Sequence, residues 1–164
     1  MLTTALIHFF RSWPPQLATA LLAAVPVTEV RAAIPIGIGA FHLSPVSALL
    51  WAFLGSLIPM PFVLWLFPPF LRFVERHWPS LHQFMEKHVR ELERKHRKAY
   101  ERFGALAIFL FIALPIPGSG VWSASVLAVI FDIDLPYAVL AITSGIAAAS
   151  LLVLGVTLGA IRLF

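Results

Sequence analysis

The sequence predicts an all-α integral membrane protein made of two similar halves joined by a charged helical segment. Three observations carry that reading. Apolar residues fill 60% of the 164 positions and Asp, Glu, Lys and Arg only 12%, against roughly 45–50% and about 25% in soluble domains. The apolar residues gather into two long stretches, one on each side of a charged block. Each stretch is broken near its middle by proline, then followed by an apolar run of about the 20 residues that a span needs. A chain this short has too little interior to hide so much apolar surface from water. Lipid removes the difficulty.

The net charge of +4 is not spread evenly. Nine of the twelve Lys/Arg lie between Arg72 and Arg102, with five of the eight acidic residues. A mixed-sign helical block between apolar halves fits a membrane-flanking segment held on the cytoplasmic side by the positive-inside bias. No nucleic-acid-reading motif accompanies it, so nucleic acid is not an expected partner. The absence of cysteine excludes disulfides and thiolate metal sites. Arg11 followed by Leu17–Val25 resembles a signal peptide. A similar run, Leu106–Leu114, recurs where no signal can stand, so the first run is expected to be structural.

In the first half, Pro26 and Pro35 interrupt the apolar stretch, with Glu29 and Arg31 between them. The pieces Leu17–Val25 and Ala32–Phe41 are each about half a span long. They predict a re-entrant hairpin with a polar tip, which survives at membrane depth only where protein or water covers it. The alternative is one kinked helix with both charges facing inward. Ser44-Pro45 then starts a spanning helix, Pro45–Phe67. Pro59 and Pro61 should kink it, and Pro68-Pro69 should end it.

The connector begins near Arg72. Met85, Val89, Leu92, His96, Ala99 and Phe103 make a narrow apolar seam, and Glu86–Arg90, Glu91–Lys95 and Glu93–Arg97 are i,i+4 pairs. These predict one amphipathic helix of about 35 Å that stops at Gly104. It is expected on the membrane surface or against a partner. His77, His82, His88 and His96 lie along it without the convergence of a metal site.

The second half repeats the pattern. Ala105–Ile133 is apolar but is broken at Leu114–Gly120, where two prolines and two glycines fall within six positions. Asp134 and Pro136 suit the start of a spanning helix, Pro136–Leu158, which carries small residues at Gly145, Ala149, Gly155 and Gly159. With Pro26 placed on Pro115, the turns and Gly55 and Gly145 fall into near register. The expected domain is single, residues 1–164: repeat 1 over about 15–71, connector over 72–104, repeat 2 over about 105–164. A hairpin returns to its own side and one span crosses, so the halves become inverted repeats with both termini opposite a cytoplasmic connector. Two full spans per half would instead make them parallel, with termini and connector on one side.

Glu29 and Arg31 are the only charges deep in an apolar stretch. Such residues are costly in a membrane and point to function by default. Arg31 suits a phosphate or carboxylate, and Glu29 suits a proton or cation; the alternative is a structural pair that ties the tip. Pro115, Pro117, Gly118, Ser119 and Gly120 should free amides beside a helix start, where anions are favoured. The alternative there is a tight turn that lets two hairpins touch. Trp122 would stack on a ligand or face lipid. Asp132 and Asp134 read as caps.

The motif Pro26-x-x-Glu29-x-Arg31-x-x-x-Pro35-x-Gly37, paired with Pro115-x-Pro117-Gly118-Ser119-Gly120 and Trp122, resembles the family named putative small multidrug export proteins. Ser119 stands where that pattern has Thr. The layout is more distantly similar to the DedA superfamily, with its opposed re-entrant hairpins and proton-dependent tolerance and lipid-carrier translocation. The resemblance implies a multi-pass protein of the inner (plasma) membrane that translocates an amphiphile. The expected function is transport of an amphiphilic, anionic substrate such as a phosphate-bearing lipid, coupled to protons through Glu29 and held by Arg31. Cationic-drug efflux and a non-transporting scaffold acting through the connector are the alternatives. Expected partners are membrane lipids, the substrate, protons and further copies of the chain. Neither an enzymatic activity nor a cofactor is expected.

Overall fold

The computed structural model describes residues 13–77, 103–114 and 119–163, and among them the chain is helical with no strand. Helix α1 is Pro15–Ala24 and α2 is Glu29–Gly39. At the standard rise these are only about 15–17 Å long, half of a bilayer core. What ends α1 is Pro26. The residue before a proline avoids helical backbone, and Val25 is extended, with φ −78° and ψ 135°. The turn runs to Thr28, and Glu29 re-enters the helix with φ 42°. That left-handed value costs a side chain other than glycine about 1–2 kcal/mol.

Helix α3 is Pro45–Leu57, and its first turn is capped as expected, with the Ser47 amide donating to Ser44 Oγ at 3.3 Å. Helix α4 is Pro59–His77. Ile58 between them keeps helical angles, so the two make one apolar span, Pro45–Phe70. Helix α5 is Phe103–Ala113; α6 is Val121–Ile130 and α7 Leu135–Leu163. A second span covers Leu135–Ile161. Only 28% and 33% of these two spans are buried inside the protein, whereas the core helix of a soluble fold is mostly covered. Trp65, Leu140, Leu151 and Val156 all point outward.

Three local expectations need correction. Pro35 lies inside α2 and does not interrupt it. Pro68 and Pro69 lie inside α4, which runs on to His77. A proline's φ suits a helix, and its cost is the lost amide donor and a clash one turn back; Phe67 and Phe70 rings meet across the pair at 5.7 Å. Gly104 does not stop a helix but lies within α5. A Cβ there would come within 3.1 Å of Ile133 Cδ1, so its small size serves packing. The amphipathic seam predicted for 85–99 lies outside the described residues.

Helix α1 packs against α2 and α3, and α2 also meets α3 and α7. Across the halves, α3 meets α7 and α4 meets α6. The contacts rest on small side chains: Ala18, Ala20 and Ala23 of α1, Ala48 and Ala52 of α3, and Ala138, Ala141 and Ala149 of α7 are buried. With no hydrophobic drive between helices in lipid, such residues gain attraction by letting backbones come close. Gly55 is the tightest case, since a Cβ would overlap the backbone of Ala20. Gly145 plays the matching part in the second half, where a Cβ would stand 2.9 Å from Ile112 Cβ and 3.1 Å from the Phe109 carbonyl. By contrast, Gly155 and Gly159 have nothing within 4 Å.

Gly→Ala inside a helix is intrinsically favourable by about 1 kcal/mol, so any loss must come from contacts. Gly55→Ala is therefore expected to lower stability by about 1–3 kcal/mol through overpacking, and Gly155→Ala is expected to leave it level or raised. Thermal unfolding of the detergent-solubilised protein checks this; equal melting of Gly55→Ala and wild type would contradict the α1–α3 crossing.

Candidate functional site

Breaking a helix frees the carbonyls of its last turn. In the first half these belong to Leu22, Ala23 and Ala24, and each finds a donor. Thr28 Oγ1 and the Val25 amide donate to Leu22 O. Ser56 Oγ of α3 donates to Ala23 O at 3.2 Å. Trp122 Nε1, from the second turn point, donates to Ala24 O at 2.9 Å. The ring is half-buried, and its polar edge is committed to the other half's broken helix.

The second half mirrors this with a charge in place of the indole. Arg31 Nη2 donates to Leu114 O at 3.1 Å, to Ser119 O at 3.0 Å and to Ser119 Oγ at 2.8 Å, and lies 3.5 Å from Ile112 O. Ser119 Oγ in turn donates to Leu114 O at 3.1 Å. Positive charge is favoured at a helix C-terminus, and the end of α5 receives it from Arg31. Thus each half supplies the donor that completes the other's broken helix.

Glu29 serves the opposite pole. Its carboxylate accepts from Arg31 Nη1 at 3.0 Å and from the Val121 amide at the start of α6. Negative charge is favoured at that end. The left-handed backbone at Glu29 turns its side chain toward the second half. Gly120 makes the approach possible, because a Cβ there would overlap the Glu29 carboxylate. Glu29, Arg31, Ser119, Gly120 and Trp122 are therefore gathered at one junction. Pro115, Pro117 and Gly118 lie outside the described residues.

Arg31 also borders open space. A groove of about 640 Å³ runs between α2 and α7, lined by Arg31, Pro35 and Gly39 on one side and by residues including Leu152, Val156 and Thr157 on the other. Thr157 Oγ1 donates to Val153 O at 2.7 Å, so among the described residues the wall is apolar apart from the guanidinium. The α7 residues went unnoticed in the sequence because nothing marks them beyond helical spacing; Leu152, Val156 and Ala160 share one stripe at i,i+4. Thr28 and Ser56 were missed for a similar reason, since a hydroxyl's role depends on which carbonyl has been freed nearby. A second cavity of about 340 Å³, between α5 and α6, is lined among the described residues by apolar side chains and Gly104.

The remaining candidates stand apart. Asp132 is in the turn after α6, with φ 47°, and Asp134 immediately precedes α7. Among the described residues no group of three or more His, Cys, Asp or Glu could hold a metal, and His82, His88 and His96 lie outside them.

Glu29, Arg31, Ser119, Gly120 and Trp122, the first span and most of the second fall within one family match. The family model described as putative small multi-drug export protein covers residues 29–152, from Glu29 through the second turn point to Leu152 on the groove wall. No curated protein and no solved structure matches the chain. The match covers most of the sequence, and with two long apolar helices it points to a membrane location. The chain belongs to the family of putative small multi-drug export proteins.

Proposed function

We propose that this protein is a membrane carrier for an amphiphilic anion, with the anionic group received by Arg31 and the apolar portion lying in the α2–α7 groove. The observation that carries this reading is an apolar groove in which, among the described residues, the Arg31 guanidinium is the only charged group on the lining. An amphiphile fits that arrangement at both ends, and a planar fork of donors suits phosphate or carboxylate. Cationic-drug export, which the family description suggests, would need the carboxylate to face the ligand. Glu29 is buried, does not line the groove, and is engaged by Arg31 and Val121. The groove therefore favours the anion.

The carrier reading includes two inverted repeats. Half-length α1 and α2 form a re-entrant pair whose backbone is satisfied by protein, as lipid depth requires. The reciprocal contacts support the repeat: Arg31 completes α5 while Trp122 completes α1, and α2 meets α7 while α6 meets α4. Gly55 also follows Ala24 by as many residues as Gly145 follows Leu114. Inverted repeats that meet at half-helix ends allow one site to open to either side in turn.

Two measurements test the reading. The chain has no native cysteine, so single cysteines at positions 2, 90 and 164 can be labelled from either side of sealed vesicles. Both termini are expected on the face opposite position 90; all three on one face would mean four full spans and parallel halves. The second is translocation in proteoliposomes of a fluorescent alkyl phosphate against an alkyl ammonium of equal chain length. The alkyl phosphate is expected to move. Gly39→Phe should slow it at least 10-fold with unchanged thermal stability, because position 39 lines the groove and has open space around it. Glu29→Gln and Arg31→Ala should each slow it as well. Transport of the ammonium alone, or full activity in Gly39→Phe, would overturn the assignment.

A further inference from the structure

Arg31 Nη2 sits among four oxygens that come from three residues of the second half: Ile112 O, Leu114 O, Ser119 O and Ser119 Oγ, at 2.8–3.5 Å. Three of the four are backbone carbonyls; Ile112 O and Leu114 O lie at the C-terminal end of α5, the negative end of its dipole, and Ser119 O lies just before α6. Freed carbonyls at half-helix ends are the usual cation ligands of carriers built from broken helices. We propose that this cluster is a monovalent-cation site which the guanidinium fills as a tethered cation. On the carrier reading above, a potassium-sized ion enters when Arg31 turns into the groove to meet a substrate anion.

The chemistry selects the ion. The oxygens of the cluster are neutral, backbone carbonyls and one hydroxyl, whereas calcium sites draw on carboxylates and magnesium keeps several waters. Backbone carbonyls are the ligands of potassium sites. A proton does not fill the same role. It can neutralise Glu29, but the carboxylate is already held at the start of α6 by the Val121 amide, while the α5 carbonyls have no proton to accept. Removing Arg31 therefore leaves a carbonyl cluster in need of positive charge, with the Glu29 carboxylate beside it, and one monovalent cation answers both. Among the described residues Arg31 alone belongs to both the cluster and the groove, so occupancy of one is tied to release from the other.

The test is binding of ⁸⁶Rb⁺ to the purified full chain in detergent, with helicity and melting followed in parallel. Wild type alone is expected to bind none saturably. Arg31→Ala is expected to bind ⁸⁶Rb⁺, displaced by K⁺, and to melt higher in RbCl than in N-methylglucamine chloride; adding Ser119→Ala should weaken that binding at least 10-fold. Wild type with dodecyl phosphate should gain ⁸⁶Rb⁺ binding. A folded Arg31→Ala that binds neither ⁸⁶Rb⁺ nor Na⁺, or one whose fold Rb⁺ fails to restore, overturns the site. Dodecyl phosphate bound without ⁸⁶Rb⁺ overturns the coupling and leaves the carrier reading intact. Binding of ⁸⁶Rb⁺ to Arg31→Ala without any dodecyl phosphate binding to wild type upholds the site and removes the carrier reading.

Discussion

A broken helix leaves carbonyls that must be satisfied, and in the proposed setting lipid offers them nothing. Each unsatisfied backbone group in an apolar medium costs several kcal/mol. The protein meets that demand with donors that reach across from the opposite half. Trp122 closes the end of α1 and Arg31 closes the end of α5, while Ser56 and Thr28 take the carbonyls that remain. The close glycine crossing at Gly55, the small-residue packing and the left-handed turn at Glu29 all serve to bring these donors within reach.

Magnitudes show how much of Arg31 this structural role explains. A central arginine costs about 2.5–3.5 kcal/mol on insertion scales, whereas each hydrogen bond to a charged group contributes about 1.5–3 kcal/mol. The two Nη2 hydrogens, shared among acceptors at 2.8–3.1 Å, and an ion pair offset that cost without any substrate. A lock of this kind accounts for the residue's presence, and it also explains why Glu29 and Arg31 lie two positions apart yet serve opposite helix poles. It does not account for the groove. A purely structural arginine does not need to border an apolar trough of about 640 Å³, and on the proposed reading that combination favours a carrier over a scaffold.

Much of this was legible in the sequence, and the failures are physically instructive. Pro26 and the Pro115–Gly120 segment announced the two breaks, because backbone without donors, or with too much freedom, cannot remain helical. Ser44 announced its cap. Proline alone proved a weaker signal: Pro35, Pro68 and Pro69 lie inside helices, since the ring's φ is helical and only a donor is lost. Gly104 read as a stop because glycine serves both ends and interfaces, and only the neighbour, Ile133, decides which. Charge pairing at the tip was foreseeable from Glu29 and Arg31, but the partner of each was not. Which carbonyl lies beside Trp122, and which stripe of α7 faces Arg31, depend on packing between segments about 90–130 residues apart in the chain.

The account turns on the two broken points meeting, with Glu29 lying where a side chain at position 120 would stand. Cysteines at these two positions, Glu29→Cys with Gly120→Cys, test that contact directly. In membranes, with a protease site placed in the connector, oxidation should join the two fragments in most of the protein, and Glu29→Cys paired with Gly159→Cys should leave them separate. Fragments that stay apart in the first pair, in protein that is folded and fully reactive to thiol reagents, would show that the halves do not meet at Arg31.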